Sequence, residues 1–211
     1  MRFEFTIKPY QACMDVKVMC DREEIKQDYF FLNRDFTFNH CFLDGETYDI
    51  SANTELVSLT KICDGYKVNK CTIPRSFHKI EMEYTGYLNG ESGGWPYVCE
   101  TISPEYALLR FETFCYPVYC DDDMHSLIGF LNACADIDLL VVVPNEFIAV
   151  SDGIEVRIFR TNRMTTYEFK SDIFGFNVAI AKFIINNLSF GKFYLLGEID
   201  SMIPLQKVTI R

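Results

Sequence analysis

The five aliphatic residues Leu139–Val143 form the longest purely aliphatic run in the chain and limit its fold more than any other stretch. Such a run has the length of one buried strand and is far too short to cross a membrane. Pro144 ends it, because proline has no N–H to donate to a neighbouring strand. After a second apolar segment, Ser151-Asp152-Gly153 predicts a turn, whose glycine can take a positive φ. We therefore expect a central strand with antiparallel neighbours.

Alternating apolar residues recur along the rest of the chain, with turn residues between them. Residues 3–20 alternate on both sides of Pro9, which predicts an opening pair of strands. Asp64 and Gly65 separate two further apolar runs in the manner of a β-hairpin. Residues 80–88 alternate again and predict another strand with one exposed face.

Two stretches indicate helix as well as strand. Ser103-Pro104-Glu105 has the composition of a helix start, and Ala107–Leu109 continues it for one turn. Residues 121–134 fit either a short helix or a strand. No internal repeat and no change of composition marks a second domain. The sequence therefore predicts a single all-β domain over residues 1–211, an antiparallel β-sandwich or a saddle of sheets with about a dozen strands and little helix.

The chain is acidic, with 30 aspartates and glutamates against 20 lysines and arginines and a net charge of −10. No cluster of basic residues interrupts this excess. Phosphate backbones and anionic membrane surfaces would be repelled by such a surface. We therefore expect neither nucleic acid nor membrane as a partner.

The cysteines are odd in number and lack the C-x-x-C spacing of a zinc or redox motif. The N-terminal segment has no apolar core of the kind found in a secretory signal. These two features favour reduced thiols and a cytoplasmic protein over a disulfide framework. The nine cysteines are at positions 13, 20, 41, 63, 71, 99, 115, 120 and 134.

Several short segments follow one another in a recognisable order. VVVP, AVSDG and TTYEF occur between residues 141 and 169, and further matching segments are Phe31–Phe36, Ile80–Leu88, Tyr116-Pro117 and Phe176–Ala181. This order resembles the N-terminal β domain of the aminopeptidase N-like zinc metallopeptidases, the gluzincin family that includes leukotriene hydrolases. There, a strand ending in proline leads into an "alSnG" turn and then a "T-x-x-F" strand. The resemblance extends over residues 28–211.

The family's catalytic zinc is held by an H-E-x-x-H helix, and its substrate by a G-x-M-E-N motif. This chain has neither motif, and none of its three histidines, His40, His78 and His125, has another four residues away. The resemblance thus implies a domain that is not an enzyme on its own and holds no cofactor, with zinc expected only in a catalytic domain outside this chain. The implied role is to shape the substrate cleft and to dock that catalytic domain of the same parent chain, or another protein partner.

One role in substrate binding is implied for the β domain itself. In active members of the family, an acidic residue or glutamine ahead of the "F-P" or "Y-P" pair helps to bind the free amine of the substrate. Glu100, Glu105 and Glu112 precede Tyr116-Pro117 and are the candidates for this role. Ordinary surface carboxylates are the alternative interpretation of all three.

Two other constellations suggest different functions. Residues 120–125 (CDDDMH) gather a thiol, three carboxylates and an imidazole, and on a strand Asp121, Asp123 and His125 would share one face and bind a metal. A solvated acidic loop is the alternative. A free-standing β-sandwich that binds carbohydrate or protein is the alternative function, and aromatic residues that would form its platform or pack in the core are Trp95, Tyr97, Tyr106, Tyr116 and Tyr119.

Overall fold

The computed structural model describes residues 1–25, 27–62, 65–87, 102–188 and 191–196, and within these ranges more than half of the residues lie in strands. One α-helix, α1, spans Met124–Leu131. The strands are β1 Arg2–Lys8, β2 Cys13–Asp21, β3 Tyr29–Asn33, β4 Phe36–Leu43, β5 Glu46–Thr47, β6 Thr54–Leu59, β7 Tyr66–Thr72, β8 Lys79–Tyr87, β9 Tyr106–Leu109, β10 Cys134–Pro144, β11 Ile148–Ser151, β12 Ile154–Arg160, β13 Met164–Ile173, β14 Val178–Ala181, β15 Phe183–Leu188 and β16 Gly191–Leu196. The all-β class predicted from the sequence is therefore confirmed.

Eight of these strands form one large sheet in the order β12-β13-β10-β1-β2-β8-β4-β5. Three-stranded sheets β11-β14-β9 and β3-β7-β6, and the hairpin β15-β16, complete the described part. The predicted opening pair is confirmed, because β1 and β2 are antiparallel neighbours joined by the 3₁₀ turn Pro9–Gln11. The predicted hairpin before and after Gly65 is also confirmed, as the antiparallel pair β6–β7 with Gly65 at φ 77°.

Strand β10 contains the aliphatic run and lies inside the large sheet. Its inward residues Ile137, Leu139, Val141 and Val143 are fully buried. It is antiparallel to β13 but parallel to β1, so the expectation of antiparallel neighbours only is wrong and the sheet is mixed. Parallel pairing needs a long crossover connection, and here about 130 residues separate the paired strands. Because side-chain alternation carries no information about the direction of such a distant neighbour, the sequence could not predict this pairing.

The turn after β11 follows the prediction, but its glycine is there for another reason. Gly153 does not have a positive φ. An ideal Cβ at this position would lie 2.6 Å from the backbone oxygen of Lys170 on β13. Glycine is thus required by close approach of two backbones rather than by a left-handed conformation.

The predicted helix at Ser103 is wrong. The Ser103 hydroxyl accepts hydrogen bonds from the amides of Glu105 and Tyr106, at 3.3 and 3.1 Å. This closes a tight turn that leads directly into β9, where Ala107 and Leu109 are buried. A serine that bonds the backbone two and three residues on favours turns as readily as helix starts, which explains the error.

The large sheet forms one layer of the fold, and the segments that contain Tyr116 and Phe176 belong to a second layer packed against it. The core between the two layers is rich in aromatic rings. The large sheet contributes Phe3 and Phe5 of β1, and the opposite layer contributes Tyr116 and Phe176. Tyr116 and Phe176 are stacked, with ring centroids 4.4 Å apart. Both faces of this contact are excluded from water, so the alternating pattern of β1 is explained by burial against the second layer.

Six of the seven described cysteines are buried and all seven are free thiols, with only Cys134 exposed. Burial raises the pKa of the Cys41 thiol from about 9 to about 12, and burial has the same effect on Cys71. These side chains are therefore protonated at neutral pH and pack as small apolar groups. Cys63 and Cys99 lie outside the described residues.

Within the described ranges, no helix has the length and apolar character that crossing a membrane requires.

Gly86 offers a sharp test of the packing in the large sheet. It lies opposite Phe36 across the β4–β8 pair, and an ideal Cβ on Gly86 would fall 1.6 Å from the Phe36 ring. We expect Gly86→Ala to lower the free energy of unfolding by about 1–3 kcal/mol, because the ring must leave its position. Urea denaturation followed by circular dichroism measures this difference.

The matched control is Gly129→Ala in α1, where nothing lies within 4 Å of an added Cβ; we expect stability to be unchanged or raised, because alanine favours helix. In a Phe36→Ala background, Gly86→Ala should lose most of its effect. An equal effect in both backgrounds would contradict the proposed clash.

Candidate functional site

A cleft of about 440 Å³ lies along the three-stranded sheet β11-β14-β9. Its walls come from the end of β9 with the 3₁₀ turn Phe111–Thr113, and from the turn after β11 with the start of β14. The lining residues are Leu108, Arg110, Phe111, Glu112, Val150, Ser151, Asp152, Asn177, Val178 and Ala179. Polar side chains thus stand on an apolar floor, as in many ligand sites.

An ion pair occupies one wall of the cleft. The Arg110 guanidinium donates two hydrogen bonds to the Glu112 carboxylate, Nε to Oε2 at 3.2 Å and Nη2 to Oε1 at 2.5 Å. The Glu112 side chain is 10% exposed, while that of Arg110 is 36% exposed. A buried carboxylate needs such a partner, because its desolvation is otherwise uncompensated.

A second carboxylate stands on the opposite wall. Asp152 accepts hydrogen bonds from the backbone N–H and the side-chain amide of Asn177, both at 2.9 Å. The Ser151 hydroxyl donates to the carbonyl oxygen of Asn177 at 3.0 Å. These bonds hold the turn after β11 against the start of β14. Asp152 is exposed, and its carboxylate keeps acceptor positions for a ligand.

The charges of the cleft favour a cation. Among its lining residues, Glu112 and Asp152 carry −2 together and Arg110 carries +1, which leaves −1. The Tyr116 side chain, four residues after Glu112, is fully buried, and its hydroxyl donates to the Phe174 carbonyl oxygen at 2.9 Å. Burial raises the pKa of Tyr116, and the negative charges of Glu112 and Asp152 add to this effect. Tyr116 is therefore a neutral residue of the core and not a ligand of the cleft.

The three predicted amine-binding residues have different positions. Glu112 is buried in the cleft wall. Glu105 is exposed in the turn before β9, so it lies at the opposite end of that strand from Glu112. Glu100 lies outside the described residues. The structure thus brings only Glu112 to a cleft.

The metal site considered for residues 120–125 is not formed. These residues cap a helix instead of forming a strand: Asp123 accepts from the Ser126 amide at 2.8 Å and begins α1. Asp122 accepts from the backbone amides of Thr60 and Lys61, and Asp121 accepts from the Tyr29 hydroxyl. Across the part of the chain that the structure describes, no three potential metal ligands come together.

Tyr116 and Tyr119 do not form the aromatic platform that was considered for carbohydrate binding. Tyr116 and Tyr119 are buried, so they cannot stack on a sugar ring at the surface. Trp95 and Tyr97 lie outside the described residues, and Tyr106 is partly exposed. The interpretation as core aromatics is therefore correct for Tyr116 and Tyr119.

Three cleft residues were not identified from the sequence. Arg110 is two positions from Glu112, and this spacing is a weak sign of a pair across one turn. Asp152 was assigned only to a turn, and Asn177 only to a strand. Their convergence depends on β11 pairing with β14, a contact between segments about 25 residues apart.

No protein-family model matches the sequence, and no curated protein sequence is significantly similar to it. Solved structures, however, resemble it over nearly its whole length. The M1 zinc metallopeptidase of Deinococcus radiodurans, solved with a Tyr-Ser-Ala substrate, matches 96% of this chain at a TM-score of 0.59 and 13% identity. An aminopeptidase N family protein of Idiomarina loihiensis matches 93% at 0.55 and 11% identity, and native yeast LTA4 hydrolase 89% at 0.50 and 9% identity.

The chain has the fold of the N-terminal domain of M1 aminopeptidases. It spans 49% of the Deinococcus chain, 32% of the Idiomarina chain and 29% of the yeast chain. The family resemblance seen in the sequence is thus confirmed at the level of fold. The cleft lies on the three-stranded sheet β11-β14-β9, which we call the small sheet, at the segment just ahead of the Tyr116-Pro117 pair.

The Arg110–Glu112 pair is testable by a double-mutant cycle. Arg110→Met leaves a buried carboxylate without its partner, so we expect it to lower the free energy of unfolding by about 1–3 kcal/mol. Arg110→Met combined with Glu112→Gln removes both charges and should recover part of this loss. Chemical denaturation of the four proteins at neutral pH gives the coupling energy. Additive effects of the two substitutions would contradict a coupled pair.

Proposed function

We propose that this chain is the non-catalytic N-terminal β domain of an aminopeptidase N-like zinc metallopeptidase, with residues 1–211 forming one domain. The observation that carries the proposal is coverage: the match takes in almost all of this chain but less than half of each peptidase. Zinc chemistry in such an arrangement belongs to the remaining part of the peptidase. In the described ranges of this chain no group of residues is arranged to hold the metal.

The cleft on the small sheet is the surface we assign to substrate and catalytic domain. A substrate with a free amine brings a positive charge, and the cleft has a net charge of −1 from Glu112, Asp152 and Arg110. Glu112 is our candidate for the amine-binding residue. Because Arg110 already holds this carboxylate at two oxygens, the amine would share Glu112 with Arg110 and take its second contact from Asp152.

This chain would contribute binding geometry and no bond-breaking group. Amide hydrolysis needs an activated water, a polarised carbonyl and a general base within hydrogen-bond reach. The proposal places these in the catalytic domain, while the β domain positions the amino end of the substrate. Free, mostly buried thiols in the described part of the chain support a reducing compartment, and we propose the cytoplasm.

The prediction for activity uses the 211-residue chain by itself. We expect no hydrolysis of chromogenic amino-acid amides, with or without added zinc, because the chain supplies no activated water. A matched assay with a complete aminopeptidase under the same conditions controls for substrate and zinc quality. Zinc-dependent turnover by the chain alone, lost on His125→Ala, would overturn the proposal.

The coding sequence after Arg211 separates this proposal from a free-standing binding module. We expect a downstream segment with G-x-M-E-N and H-E-x-x-H. In that longer protein, Glu112→Gln should raise KM for amino-acid amides more than it lowers kcat, since Glu112 binds substrate without joining the chemistry. A stop codon in this place would favour the binding module instead.

A further inference from the structure

Strand β12 ends the large sheet and carries apolar residues that no other described element covers. Among the described strands it pairs only with β13, on one side. All seven of its residues are exposed. Ile154 is 75% exposed, Val156 50%, Ile158 49% and Phe159 56%. Four large apolar side chains on one edge strand form an unusual surface, because an exposed edge is normally protected from pairing with other chains.

The exposed residues lie on both faces of the sheet. Ile158 pairs with Tyr167, which is 3% exposed, so Ile158 continues the inner face of the sheet beyond the covering layer. Ile154 and Phe159 pair with Lys170 and Thr166 on the outer face. Paired residues of antiparallel strands place their side chains on the same face. A ligand that covers β12 must therefore contact both faces and the free backbone edge, which is what an added strand does.

The charges around β12 indicate which kind of partner strand could pair with its exposed edge. Residues 154–163 contain Arg157, Arg160 and Arg163 against Glu155. The paired residues of β13 add Glu168, opposite Arg157, and Lys170, opposite Ile154, which leaves a local charge of +2 in a chain of −10. Among the described residues, no carboxylate oxygen lies within 4 Å of the Arg157 or Arg163 guanidinium. Two copies paired through this edge would bring six arginines against two glutamates, which disfavours a second copy of the chain. An acidic partner is complementary to the positive charge of the β12 edge.

We propose that the β12 edge binds an extended peptide segment of alternating apolar and acidic residues, which adds to the large sheet beside β12. Main-chain hydrogen bonds to the free edge supply the attachment. Apolar side chains of the segment contact Ile158 on one face, and its carboxylates contact Arg157 on the other. The bulge between Glu155 and Arg157 limits regular pairing to the second half of the strand. This surface is separate from the Glu112 cleft and does not depend on the proposed peptidase role.

The test uses the full chain and a fluorescent eight-residue peptide of alternating glutamate and valine. We expect saturable binding by fluorescence anisotropy, and an otherwise identical lysine–valine peptide should bind at least about tenfold more weakly because its charges are repelled. Amide hydrogen exchange should show protection confined to β12 and its neighbouring turn when the acidic peptide is bound.

Two substitutions with the same change of charge locate the site. Arg157→Glu should weaken binding by about tenfold, since an attraction becomes a repulsion. Lys67→Glu, at an exposed position of β7 on another sheet, should change binding by less than about twofold. Both positions are exposed, so both variants are expected to fold, and circular dichroism verifies this.

The inference would be overturned if no saturable binding were found at millimolar peptide, or if the acidic and basic peptides bound equally. Equal effects of Arg157→Glu and Lys67→Glu would overturn it as well. A dimer of the free chain in sedimentation that is lost on Arg157→Glu would also overturn it, because the edge would then belong to a second copy.

Discussion

The stacked contact between Tyr116 and Phe176 is the interaction on which the two-layer structure depends. Their rings are 4.4 Å apart, and Phe3 of the large sheet packs against both at 5.7 and 5.5 Å. The buried Tyr116 hydroxyl is satisfied by the Phe174 carbonyl oxygen, so the ring is held in position by a hydrogen bond as well as by packing. Two cleft residues are close to this contact in sequence, since Glu112 precedes Tyr116 by four residues and Asn177 follows Phe176 directly.

The distribution of charge separates two surfaces of the molecule. On the small sheet, Glu112 and Asp152 make a cleft that favours cations, with Arg110 neutralising part of the charge. On the large sheet, the β12 edge carries several arginines in an otherwise acidic chain. Surfaces of opposite sign on one small domain guide different partners to different places. The two surfaces we propose as binding sites therefore differ in charge as well as in position.

The sequence predicted the parts of the fold that alternate over short distances. The strand pairs β1–β2 and β6–β7 were found because their turns, at Pro9 and Gly65, lie between the two partners. The parallel β1–β10 pair was missed, because residues about 130 positions apart leave no local trace of their pairing. Gly153 shows the same limit at a single residue: its turn was predicted correctly, but the nearby Lys170 carbonyl that requires a glycine belongs to β13.

The candidate site was predictable only in part. Glu112 came from its position ahead of Tyr116-Pro117, whereas Asp152 and Asn177 reach the cleft through the β11–β14 pairing. The charge pattern of residues 120–125 suggested a metal site that is not formed. Carboxylates next to a helix start are used as caps, as Asp123 is. Composition identifies residues capable of binding a ligand; tertiary pairing decides which of them are free to do so.

Amide hydrogen exchange of the chain alone and within the longer protein tests the central claim most directly. Our account predicts that the catalytic domain slows exchange at the walls of the cleft, in residues 108–112, 150–152 and 177–179, which exchange faster in the isolated chain. Protection limited to the outer face of the large sheet, with the cleft walls unchanged, would contradict a docking role for this cleft.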